Sequence, residues 1–151
     1  MWLSRLFSLA LALAALGWNS PARAEEGELR ASRPDVRREV IAAIDGQLAA
    51  FRSHDIPAAY GFAAIALRQQ FPVDRFAATI RQGYPEIWLN ARAEFGIVRD
   101  NGVRATLNVR VFEANNASAS YDYILFKEPG GWRIGGVSAH AEPPATASGS
   151  A

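Results

Sequence analysis

The apolar residues of this chain change their spacing once, near Ala91, and no other feature constrains the fold as tightly. Upstream, Val36, Val40, Ile41, Ile44, Leu48 and Phe51 fall on one face when the chain is wound at 100° per residue, inside an arc of about 140°. Downstream the pattern alternates. Val103, Ala105, Leu107, Val109 and Val111 point one way, and Arg104, Thr106, Asn108 and Arg110 the other, the period of a half-buried strand. A helical first half and a stranded second half predict an α+β domain, with the helices covering the apolar face of an antiparallel sheet.

The boundaries follow from local chemistry. Ser32 and Asp35 form an S-x-x-D capping pattern with Pro34 in the first turn, where a missing N–H costs nothing. The first helix ends near Ser53-His54, and Asp55 followed by Pro57 starts a second. Its body, AAYGFAAIALRQQF, is apolar nearly all round, as in a helix packed on two sides. A third, short helix follows Pro72, with Val73, Phe76, Ala77 and Ile80 on one stripe and Gly83 and Pro85 ending it. Ile87, Trp88 and Leu89 make an apolar patch leading into the sheet. There Ala93, Phe95 and Ile97 alternate with Arg92, Glu94 and Val98, and Asp100-Asn101-Gly102 is a hairpin turn. The segments SYDYILFKE and WRIGGV, joined at Pro129-Gly130-Gly131, complete a predicted four-stranded antiparallel meander.

The ends read differently. Arg5 precedes an 11-residue apolar run, Leu6 to Leu16, too short for a bilayer span, and Ala22-Arg23-Ala24 offers a signal-peptidase site. Residues 1–24 are therefore expected to be a cleaved signal peptide, 25–33 a polar lead-in, 34–138 one domain, and 139–151 a disordered tail. That places the protein in the periplasm or outside the cell, with no membrane attachment after cleavage. The remaining 127 residues carry 14 basic and 15 acidic side chains, a net charge of −1. Such a balance argues against nucleic-acid binding. There is no cysteine, so stability rests on packing rather than disulfides.

Three helices followed by an antiparallel sheet ending in G-W-R-I resemble the nuclear transport factor 2-like (cystatin-like α+β) superfamily. More closely, the S-H-D junction into AAYGFAA, the segment GYPEIW and the segment ASYDYILFKEPGGWRIGGV resemble a bacterial family of exported proteins catalogued as domain of unknown function 4864. The resemblance implies a curved, cone-like sheet wrapping the first helix, often with a cavity between them. It implies no activity, because one fold hosts many functions.

No catalytic constellation emerges. His140 starts the tail, and His54 beside Asp55 reads as a helix junction in which Asp55 is a cap. No His, Cys or carboxylate spacing suits a metal, no glycine pair opens a phosphate-binding helix, and no G-x-S-x-G elbow occurs. No cofactor is expected. Asn116-Ala117-Ser118 matches a glycosylation acceptor that matters only in a eukaryotic secretory route.

The expected pocket residues are Arg37, Tyr60, Tyr84, Trp88, Tyr121, Asp122, Tyr123 and Trp132. Arg37 lies in the apolar arc of the first helix and either reaches a cavity mouth or, as the favoured alternative, snorkels to water. The aromatic residues either line a cavity or simply fill the core. Asp122 sits on the face opposite the tyrosines. Turned inward it would be a buried acid–base carboxylate, and turned outward, the favoured reading, it would pair with Arg110 or Arg133. The function expected from these features is a non-catalytic module binding a small apolar ligand or a partner protein. The alternatives are an isomerase or dehydratase built on a buried Asp122, and an assembly module, such as a homodimer, pairing through the outer sheet face.

Overall fold

The computed structural model describes residues 27–141. The predicted signal peptide and residues 142–151 of the predicted tail lie outside them. The chain runs β1 (Arg30–Ala31), α1 (Pro34–Arg52), α2 (Ile56–Gly61), α3 (Ile65–Gln70), α4 (Val73–Gly83), α5 (Pro85–Trp88), β2 (Asn90–Phe95), β3 (Arg99–Asp100), β4 (Arg104–Glu113), β5 (Ser118–Glu128) and β6 (Gly131–Ala139). It is an α+β arrangement, with the helices packed against an open antiparallel sheet. The order is β1-β3-β4-β5-β6, with β2 also paired to β4. The long stripe of α1 (Val40, Ile44, Leu48, Phe51) joins one buried cluster with Val109 and Val111 of β4, Tyr123 and Leu125 of β5, and Trp132 and Ile134 of β6.

Among the described residues the sheet has six strands rather than four, and there are five helical segments rather than three. Each difference has a tertiary cause. The predicted second helix is split because Phe62-Ala63-Ala64 leaves the helix to meet the edge of β6. Ile134 N–H donates to the Phe62 carbonyl at 2.8 Å, and Ala64 N–H donates to the Ile134 carbonyl at 2.8 Å. A segment apolar on every side is compatible with either state, and the waiting strand edge decides. One turn of helix, α5, forms where only an apolar patch was expected, and Leu89 after it is 56 % exposed.

The first predicted strand is likewise divided. Phe95 pairs with Val109, but Arg99 pairs with Thr106, so one extra residue is accommodated between β2 and β3. Gly96 allows it: its N–H still reaches the Asn108 carbonyl at 2.8 Å, and a Cβ there would stand 3.0 Å from that same oxygen. The extra residue reverses the phase of the alternation. Ile97 is exposed and Val98 buried, opposite to the expectation. Val103, expected to face inward, falls outside β4 and is also exposed.

Ser32 does not cap α1. The cap position is Arg33, without a side-chain bond. Ser32 instead ties the helix entry to the sheet: its hydroxyl donates to the Asp100 carboxylate and its N–H to the Val98 carbonyl. At the other end, His54 N–H donates to the Phe51 carbonyl and Asp55 N–H to the Ala50 carbonyl, a Schellman closure with His54 at φ +55°. Asp55 caps α2 as expected, accepting from Ala58 N–H at 3.1 Å. No helix among the described residues is long and apolar enough to cross a membrane.

Candidate functional site: an apolar cleft at the edge of the sheet

β6 is an edge strand, and only part of that edge is covered by the Phe62–Ala64 contact. Beyond it, α3 and α4 stand off the strand and leave a cleft of about 160 Å³. Its apolar walls are Leu67, Phe71, Phe76, Ile80, Ile134 and Val137, and its polar contributors are Gln47 from α1, Thr79 from α4 and Tyr84. Among the described residues, no Lys, Arg, Asp, Glu or His lines it.

The walls are held from behind. The Tyr60 hydroxyl donates to the carbonyls of Arg68 and Phe71, which fixes the bend between α3 and α4 and thereby Phe71. The Tyr60 ring lies 5.3 Å from that of Phe76, which stacks in turn on Phe51 at 6.0 Å. The cleft floor is thus the hydrophobic core itself. Tyr84 closes one end: after the last turn of α4 its hydroxyl donates to the Val137 carbonyl at 3.0 Å, tying helix to strand edge. Gln47 is buried, 4 % exposed, and its side-chain N–H₂ donates to the Ala59 carbonyl at 3.1 Å.

Of the eight residues singled out from sequence, Tyr84 alone lines this cleft. Tyr60 supports it from behind. Arg37 is exposed beside a shallow notch that includes Ser32, Phe95 and Val98, with its head in water. Trp88 packs on Phe51 at 5.8 Å, with Arg81 6.0 Å over its ring. Trp132 is buried under Lys127, whose ammonium lies 5.6 Å from the ring centre, and borders a wide groove on the far side of the Phe62 contact.

The remaining three residues divide between the two faces of β5. Tyr121 and Tyr123 point inward. Tyr121 donates to the Glu86 carboxylate, and burial, together with that neighbouring charge, pushes its ionisation well above the usual tyrosine range. Tyr123 is fully buried, its hydroxyl has no hydrogen-bond partner among the described residues, and burial pushes its ionisation up in the same way. Asp122 points outward and is about half exposed. Its partners are neither Arg110 nor Arg133 but His140, with Nδ1 at 2.8 Å, and Asn108, whose side-chain N–H₂ donates at 3.2 Å. Arg110 instead donates to the Ser118 hydroxyl, and Arg133 to the carbonyls of Gly130 and Trp132. Partial burial works to raise the Asp122 carboxyl, but the hydrogen bonds from His140 and Asn108 and the His140 charge outweigh it and hold it below the usual carboxylate range. The isomerase reading required a buried Asp122, and the register of β5 places that carboxylate on the other face.

His140, read from sequence as the loose start of a tail, is anchored. Its N–H donates to the Ser120 carbonyl at 2.9 Å, which extends the β5–β6 ladder by one step. Among the described residues no group of three or more His, Cys, Asp or Glu side chains is placed to hold a metal ion.

The residues that form the cleft were not the conspicuous ones. Gln47 carried the one available signal: it stands three residues after Ile44 and four before Phe51, a polar side chain on the buried stripe of α1. Leu67, Phe71, Ile80 and Val137 carried none, since any core uses such residues.

The family described as Domain of unknown function (DUF4864) matches residues 34–147. The chain belongs to this family. No curated protein matches the chain, and no solved structure matches it. The matched span begins at the first residue of α1 and includes every cleft residue.

Proposed function

We propose that the protein is an exported, non-catalytic binding module that seats the apolar part of a small molecule in the cleft between α3, α4 and the edge of β6. The observation that carries this reading is the lining: six apolar walls and, among the described residues, no ionisable side chain apart from the Tyr84 phenol. Such a surface sheds water readily and offers no acid, base or nucleophile for chemistry. The size suits one ring or a short alkyl group, since an apolar cavity of about 150 Å³ accepts benzene. Export rests on Arg5, the apolar run Leu6 to Leu16 and the Ala22-Arg23-Ala24 site, which together make Glu25 the first residue of the working protein. The helix-backed antiparallel sheet supports placing the family beside the nuclear transport factor 2-like superfamily, where such clefts are used in diverse ways.

The test is a methyl-resonance NMR titration with toluene. Shifts are expected at Leu67, Ile80, Ile134 and Val137, and their loss in Thr79→Trp, which plugs the mouth from an exposed helix position. Toluene at saturation that moves none of these resonances refutes the binding reading. The export part is checked separately by the mass of the chain recovered outside the cytoplasm, which should begin at Glu25; recovery of the uncleaved chain alone overturns it.

A further inference from the structure

Resting on that reading, we infer that the cleft selects a neutral group carrying one hydrogen-bond donor, such as a phenol or a small alcohol, and that the side-chain carbonyl of Gln47 accepts it. The Gln47 amide has two ends and only one is used. Facing a carbonyl, the end turned to Ala59 must be the nitrogen, because only it can donate. The oxygen is therefore the end left over, and no described residue donates to it. It is not sealed away either. Among the described residues the side-chain polar atoms that are both fully enclosed and unpartnered are Arg68 Nε, Arg104 Nε and Tyr123 Oη, and Gln47 Oε1 is not one of them. Gln47 is 4 % exposed, and it lines the cleft. Its free acceptor is thus assigned to this cleft, whose remaining lining is apolar apart from Thr79 and Tyr84.

This arrangement discriminates. A purely apolar guest would cover the Gln47 oxygen without replacing the hydrogen bond it makes to water, whereas a guest with one donor satisfies it. An anion would meet a bare carbonyl oxygen with no compensating cation in the lining, and is disfavoured. Of the other polar groups, the Tyr84 hydroxyl spends its proton on the Val137 carbonyl, and Thr79 sits exposed at the mouth.

The experiment compares phenol with toluene, two probes of nearly equal size, on the intact protein by the same NMR titration. Wild type is expected to bind phenol about five-fold or more tighter than toluene, the worth of one net hydrogen bond. Phenol, and not toluene, should move the Gln47 side-chain amide resonances. In Gln47→Leu the preference should vanish or reverse while toluene still binds, which also shows that the cleft is intact; Gln47→Met, unbranched like Gln, supplies the same comparison if Leu disturbs the seat. Thr79→Val should keep the preference. Equal or tighter toluene binding by wild type, or a phenol preference that survives loss of Gln47, overturns this inference while leaving the cleft reading standing. If neither probe binds, the cleft reading itself fails, and the Gln47 inference falls with it.

Discussion

Replacing Tyr123 with Phe should make the protein more stable. The side chain is fully buried between Leu107 and Val137 in the strand register, and its hydroxyl has no partner among the described residues. An enclosed polar group left unsatisfied costs about 1–3 kcal/mol relative to its hydrated state. Removing the oxygen leaves a void smaller than a methyl group, which costs less than about 1 kcal/mol. The difference is a gain of about 0.5–2 kcal/mol, or a rise of roughly 2–8 °C in Tm for a domain of this size. Urea denaturation followed by circular dichroism should show a higher midpoint with an unchanged slope. Tyr121→Phe is the matched control two residues away on the same face. Its hydroxyl bonds the Glu86 carboxylate, so the identical deletion should cost about 1.5–3 kcal/mol. A Tyr123→Phe variant that is less stable than wild type would refute the reasoning, and would mean that the hydroxyl is satisfied by an enclosed water.

His54 holds φ +55° at the end of α1, a conformation that costs a non-glycine residue about 1–2 kcal/mol, so His54→Gly should stabilise by about 0.5–1 kcal/mol once the greater freedom of the unfolded glycine is counted. Thermal melts read this directly. Gly131 at φ +123°, the first residue of β6, gives the opposite case: Gly131→Ala should destabilise by about 1–2 kcal/mol in the same assay. Asp122 titrates below its unfolded value, so the stability it contributes is complete above about pH 4 and drains away as pH falls through its lower folded value. Asp122→Asn should therefore flatten the acid limb of a plot of Tm against pH, by less than about 1 kcal/mol because the pair is half exposed. Tyr121 and Tyr123 ionise above the ordinary tyrosine range, so stability should fall once pH rises past about 10, and their share of the tyrosinate absorbance should appear only with unfolding.

The amino-acid sequence determined by itself what short-range chemistry determines. The apolar stripe of α1, the Asp55 cap, the Asp100-Asn101-Gly102 turn and the inward row Ala105, Leu107, Val109 and Val111 each follow from residues within a few positions of one another, and each is present. Strand parity also put Asp122 on the face opposite the tyrosines, but which of the two faces turns inward was decided by the packing of β5. What the sequence left open was settled by partners distant in the chain. The helix breaks at Ala63 because Ile134, about seventy residues on, presents unpaired backbone groups there. The phase reverses between Phe95 and Val98 because the extra residue must fit against β4. Ser32 abandons its cap for Asp100. The cleft belongs wholly to this second kind. It is the space left where α3 and α4 fail to close on β6, and an unfilled volume depends on how elements meet rather than on any residue's own preference. Tyr84, one of the expected pocket residues, and Gln47, polar on a buried stripe, were the two marks in one dimension of a place that three dimensions had left open.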